Sequence, residues 1–190
     1  MEITSGIIVL FVTLVSAFFG IWVLFTFVRS KFGKYPPAIS SFGKMNKVML
    51  ACADEVLANG NGTLEVIDMG SGTGKVLREL AAKYPQHNFV GYEWDIFVFT
   101  LAKILCRSFK NITLYRRNFM TAPLGDKDLI IIFCGNEIAM ELSDKILKEA
   151  KPSAKVISEA FRMPALPNEK KYEATTWKFM PIKVFTYSLS

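Results

Sequence analysis

The run Val66-Ile67-Asp68-Met69-Gly70-Ser71-Gly72-Thr73-Gly74 limits what this chain can fold into more than any other stretch. An apolar segment ends in a carboxylate, three alternating glycines follow, and Val76, Leu77, Leu80 and Ala81 then recur at helical spacing. That order describes a strand turning sharply into a helix. Glycine takes positive φ without strain and lets a ligand approach the backbone, so the turn can press against a bound molecule. A second apolar stretch leads through Val90-Gly91-Tyr92 to Glu93. A carboxylate at the tip of the next strand, ~20 residues on, is placed to accept both hydroxyls of a ribose. The two segments together predict a nucleoside-binding crevice at the carboxyl ends of parallel strands.

The details exclude phosphate-centred versions of such a turn. A dinucleotide fingerprint needs a third glycine where Lys75 stands. A phosphate-binding P-loop fits at Gly74-Lys75. It fails at Met69, where its first glycine belongs, and at Val76, where a hydroxyl should hold magnesium. Asp68 suits a cationic ligand better than a polyphosphate.

The amino end carries the second strong signal. No charged residue interrupts Ile3 to Val28, a run dense in Ile, Leu, Val, Phe and Trp. Roughly 20 apolar residues cross the hydrocarbon core, so this segment predicts one membrane-spanning helix. A secretory signal would carry its positive charge before the apolar run. Here Glu2 precedes it, and Arg29, Lys31 and Lys34 follow. By the positive-inside rule the amino terminus lies outside and the remainder faces the cytoplasm or an organellar matrix. The expected division is an anchor over 1–30, a juxtamembrane segment with a first helix over 31–62, and a core domain over 63–190. The net charge of +6 is spread along the chain, with Lys31, Lys34, Lys44 and Lys47 beside the membrane, where cations are drawn to anionic headgroups. No basic stripe is interleaved with stacking aromatics, so no nucleic-acid partner is expected. Cys52, Cys106 and Cys134 are far apart and predict reduced thiols without a metal site. His87, the only histidine, lies in the polar stretch Tyr84-Pro85-Gln86-His87-Asn88 and reads as an exposed loop residue.

Along the rest of the chain, Tyr35-Pro36-Pro37 imposes an extended path, and Ser40 or Ser41 is placed to cap a helix ending before Asn59-Gly60-Asn61-Gly62. Strands are predicted at about 64–68, 88–93, 112–115, 129–133 and 155–160. Helices are predicted at about 74–83, 96–108 and 137–150. The helix from Ile96 is so rich in Phe and Leu that burial is expected for most of it. Residues Trp177 to Ser190 alternate well enough for a closing hairpin. Strands alternating with helices argue for an open, mostly parallel α/β sheet.

The motif Asp68-x-Gly70-x-Gly72-x-Gly74 resembles the first motif of class I S-adenosylmethionine-dependent methyltransferases. The order of anchor, Tyr35-Pro36-Pro37, glycine turn and Gly91-Tyr92-Glu93 looks like one branch of them. These are small membrane-anchored protein-lysine methyltransferases that modify the ATP synthase c-subunit or the adenine nucleotide translocase. The likeness continues through Ile131-Ile132-Phe133-Cys134-Gly135 and Ala154-Lys155-Val156-Ile157 to Phe161-Arg162-Met163-Pro164. It departs after the fourth strand, where the branch tends to have Phe-Gly-Val-Pro and this chain has Phe133-Cys134-Gly135-Asn136-Glu137. The resemblance implies a Rossmann-like sheet of seven strands, or slightly fewer, behind one transmembrane helix, with S-adenosyl-L-methionine as cofactor.

It also implies roles. Asp68, Gly70, Ser71, Gly72 and Gly74 would cradle the amino-acid end of the cofactor, and Glu93 would take the ribose. Asn118 would bond the adenine, Phe119 would cover the ring, and Tyr35 and Pro37 would close over the site. Asn136 and Glu137 would meet the acceptor nitrogen. Methyl transfer from an activated sulfonium asks for alignment and a lone pair and needs no metal. The favoured acceptor is a lysine of a membrane protein. A lipid, quinone or other hydrophobic small molecule is the rival acceptor, and a non-catalytic membrane scaffold the rival class.

Overall fold

The computed structural model describes residues 2–32, 44–175 and 181–190. It comprises two compact units, Met1–Pro37 and Ala38–Ser190. The first contains one helix, α1 (Glu2–Phe32). Within it Gly6–Leu24 is uncharged and strongly apolar, and none of it is buried. Nineteen helical residues reach ~28 Å, close to the ~30 Å of a hydrocarbon core. The segment therefore has the length and composition of a span.

The second unit runs α2 (Lys44–Asn59), β1 (Glu65–Met69), α3 (Lys75–Lys83), β2 (Asn88–Tyr92), α4 (Ile96–Cys106), β3 (Ile112–Tyr115), β4 (Leu129–Ile132), α5 (Asn136–Glu149), β5 (Lys155–Glu159), β6 (Lys170–Thr175) and β7 (Pro181–Ser188). A short 3-10 turn, Phe119–Thr121, lies between β3 and β4. The seven strands form one sheet in the order β3-β2-β1-β4-β5-β7-β6. All pairings among β1 to β5 are parallel, and β7 lies antiparallel to both β5 and β6. This is the expected Rossmann-like sheet at its full strand number. The closing hairpin begins earlier than predicted, because β6 starts at Lys170. The expected cap at Ser40 or Ser41, and the residues Tyr35 and Pro37, lie outside the described residues.

The order reverses direction between β1 and β4, so a crevice opens above their carboxyl ends. Right-handed crossovers put α3 and α4 on one face of the sheet and α5 on the other. On the α3 face, Met49, Cys52, Ala53 and Leu57 of α2 pack with Leu77, Leu80, Val66, Ile131 and Ile157 into one core. Val76, Leu77, Leu80 and Ala81 are buried as their spacing predicts.

Two expectations are corrected. His87 is not an exposed loop residue: it is 1 % exposed. Its Nδ1 accepts from the Leu64 amide at 3.1 Å, and its Nε2 lies 3.2 Å from the Leu57 carbonyl. Those partners place the proton on Nε2, and the ring ties the entry of β1 to the end of α2. Nor is α4 largely buried. Only Ala102 and Cys106 are buried within it, while Ile96, Phe97, Leu101, Ile104 and Leu105 are exposed. The helix packs on β3 at the edge of the sheet, and its outer side is left largely exposed among the described residues.

Gly91 shows how tightly the crevice floor is packed. A Cβ there would lie 2.6 Å from Leu77 Cδ1 and 2.7 Å from both Leu114 Cδ2 and Ser71 Oγ. Overpacking of this kind costs about 1–3 kcal/mol. Gly91→Ala is therefore expected to melt several degrees below the parent in a thermal scan. An unchanged midpoint would show that the three neighbours yield freely.

Candidate functional site

The register determines which side chains share the crevice. Asp68 pairs with Gly91 on one side and Ile131 on the other, and Ile131 pairs with Ile157. Side chains alternate along a strand, so Glu93 and Glu159, two residues beyond Gly91 and Ile157, project on the same face as Asp68. Three carboxylates thus crown three strand tips. All are buried: Asp68 is 5 % exposed, Glu93 5 % and Glu159 2 %. Asp68 and Glu159 line one cleft together with Gly70, Gly72 and Phe133.

Such crowding has an electrostatic consequence. Burial, then Glu159, then Glu93, push the Asp68 carboxyl from its ordinary 3.8 up to about 7. Glu93 is also raised, mainly by burial, but backbone N–H groups of Asp95, Trp94 and Gly72 oppose the shift. Like charges in a dry site disfavour full ionisation, and a cation arriving there restores it.

The glycine turn is held by backbone bonds. The amides of Gly70 and Ser71 both donate to the Tyr92 carbonyl, at 3.0 and 2.9 Å. The Gly72 amide donates to Glu93 Oε2 at 3.2 Å, and the Asp95 amide to Glu93 Oε1 at 2.8 Å. Glu93 thereby links the turn to the start of α4, which Asp95 caps by accepting from the amides of Phe97 and Val98. The glycines have separate reasons to be glycine. All three have positive φ, at 101°, 54° and 71°. A Cβ on Gly74 would meet Cys106 Sγ at 2.7 Å, so that position serves packing between α3 and α4. A Cβ on Gly72 would meet nothing within 4 Å. Among the described residues its backbone borders open space, and buried Ser71 Oγ beside it has no hydrogen-bond partner.

The other expected residues are more dispersed. Asn118 begins the 3-10 turn, its side chain accepting from the Met120 amide at 2.9 Å, and half-buried Phe119 follows it. Asn136 and Glu137 form the exposed first turn of α5 and do not line the Asp68 cleft. Tyr35 and Pro37 lie outside the described residues. Glu159 was not among the expected residues. It stands at a strand tip by the same logic as Asp68 and Glu93, and Ala160 after it has φ of 68°, a strained value for a residue with a Cβ. The Ala160 amide donates to Lys183 on β7, and Phe161 packs against Phe133 with ring centroids 6.2 Å apart. Among the described residues, no group of His, Cys, Asp and Glu is arranged to hold a metal.

These features fit S-adenosylmethionine. The carboxylate cluster suits its ammonium and sulfonium charges, and the open glycine backbone suits close approach. An acidic strand tip beside that turn suits a ribose. No curated protein matches the sequence. Solved structures share the fold. An RNA methyltransferase from Salinibacter ruber in complex with S-adenosyl-L-homocysteine superposes with a TM-score of 0.67 at 15 % identity, over 80 % of this chain and 94 % of that one. A precorrin-6y C5,15-methyltransferase from Geobacter metallireducens GS-15 gives 0.61 at 15 % identity, over 80 % and 90 %. A probable spermidine synthase from Corynebacterium glutamicum ATCC 13032 gives 0.63 at 14 % identity, over 81 % and 66 %. Residues 68–170 match the family described as the ANTKMT methyltransferase domain. That span is more than half of the 190 residues, and the chain belongs to this family, as a class I methyltransferase that takes its methyl group from S-adenosylmethionine.

Proposed function

We propose that the protein is a membrane-anchored protein-lysine methyltransferase acting on a membrane protein. The observation that carries the reading is the family match, whose name denotes the lysine methyltransferase of the adenine nucleotide translocase. The apolar helix α1 supports the membrane half of it. In this reading the anchor occupies 1–30, the catalytic core begins near residue 63, and the core faces the cytoplasm or an organellar matrix.

The cofactor supplies a methyl group on a sulfonium, ready for attack by a lone pair. The chain does the rest. Gly70, Ser71, Gly72 and Gly74 shape the cradle, and ionised Asp68 holds the cationic amino-acid end. Glu93 accepts the ribose hydroxyls while keeping the Gly72 amide in place. Asn118 and Phe119 border the adenine. A lysine of ordinary pKa ~10.4 must shed a proton before it can attack. Glu159 and Phe133 form the wall beyond Asp68, where a carboxylate can receive the ammonium and an aromatic face can hold a cation. Asn136 and Glu137 border the acceptor's approach. Burial of this cluster excludes water from the transfer.

Labelled methyl transfer into membranes from cells lacking the protein tests the proposal. The expected result is label in a discrete protein band that hydrolyses to methyl-lysine, and no label with Glu93→Ala. Label confined to the lipid extract would assign a small hydrophobic acceptor instead. Absence from both fractions would favour a scaffold.

A further inference from the structure

The apolar surface of α4 lies outside the catalytic account. Phe97, Leu101, Ile104 and Leu105 recur at helical spacing along one stripe opposite buried Ala102 and Cys106, and Ile96 adjoins it. These five side chains are between 38 % and 55 % exposed. In the stretch of chain that carries them, residues 94–117, the charges are of one sign but for Asp95. Lys103, Arg107, Lys110, Arg116 and Arg117 are all exposed, and Asp95, the one acidic residue from 94 to 117, is engaged in capping the helix. An apolar face flanked by cations is the pattern of a helix lying in a bilayer interface.

We propose that the outer face of α4 docks on the surface of an anionic lipid bilayer. A second copy of the chain seated on this helix would set Lys103 and Arg107 against their own like charges, whereas anionic headgroups neutralise them. Because α4 starts three residues after Glu93, such docking sets the mouth of the cofactor cleft close to the lipid. A lysine at the membrane surface would then be within reach, and one far out in solution would not. The inference rests on the membrane-anchored reading above, and the test separates the two.

The full chain is reconstituted in vesicles of phosphatidylcholine and phosphatidylglycerol. An environment-sensitive fluorophore is placed at Thr100→Cys on α4, at Ile8→Cys on α1, or at Lys170→Cys on β6 at the far edge of the sheet. Cys52, Cys106 and Cys134 are buried and leave the introduced thiol as the reactive one. Spin-labelled lipid is expected to quench the labels at positions 8 and 100 and to spare the one at 170. Quenching at 100 should weaken with added salt and disappear with Leu101→Glu and Ile104→Glu, which lie at exposed positions. Quenching at 8 without quenching at 100 overturns the docking while the anchor stands. Quenching at 100 without 8 supports docking and removes the anchor. Equal quenching at 100 and 170 overturns the proposal, since contact would then not be specific to α4.

Discussion

Glu93→Ala is expected to weaken S-adenosylmethionine binding by about two orders of magnitude, since charge-assisted hydrogen bonds contribute ~1.5–3 kcal/mol each. Two losses combine. The ribose loses its carboxylate, and the amides of Gly72 and Asp95, now bonded to Oε2 and Oε1, lose their acceptor inside a buried site. The second loss loosens the glycine turn that shapes the cradle. Glu93→Gln separates the contributions, because its one carbonyl oxygen can still serve one of the two amides. It should bind at an intermediate level. Burial raises the carboxylate's pKa and so favours a neutral side chain. In Glu93→Gln, however, one amide faces an NH2 group, so the unliganded melting temperature should fall modestly, and further in Glu93→Ala. Calorimetric titration with thermal scans checks both. Affinity within threefold of the parent for Glu93→Ala would remove Glu93 from the cofactor site. A collapse in melting temperature for both variants would make its role structural.

What could be read from the sequence depended on whether a local pattern determines the outcome. The strand-glycine-helix order around Asp68 is local chemistry, and the structure reproduces it within a residue at each boundary. Glu93 was legible because a carboxylate ending a strand is conspicuous. Glu159 falls inside the strand predicted at about 155–160, one residue short of its expected end, so nothing local marks it as a tip. Only the register, Asp68 to Ile131 to Ile157, shows that it shares their face. His87 and α4 misled for a common reason. Burial belongs to the surroundings: a polar loop can fold under a helix end, and an apolar helix at a sheet edge can keep an exposed outer side. The early start of β6 was hidden by Lys170, Lys171 and Glu173, charges suited to an open sheet edge that reads as loop in the sequence.

The pH dependence of cofactor binding follows from the same three carboxylates. Asp68 is raised from 3.8 to about 7 by burial and by Glu159 and Glu93, so the empty fold prefers it protonated. The stability this preference adds is full below the unfolded value near 4, and it is lost as pH rises through about 7. A cationic ligand prefers the ionised form. Below about 7, binding must release that proton, and affinity should fall roughly tenfold for each unit of acidification. Asp68→Asn removes both trends. It should melt higher than the parent above pH 7, bind S-adenosylmethionine far more weakly there, and show a nearly flat affinity profile between pH 5.5 and 7. Proton release measured by titration in buffers of different ionisation heat reads the coupling directly, at close to one proton per molecule bound at pH 6 in the parent and little in the variant. Equal proton release from both would assign the titration to Glu159 or Glu93, and Asp68 would then be ionised before the ligand arrives.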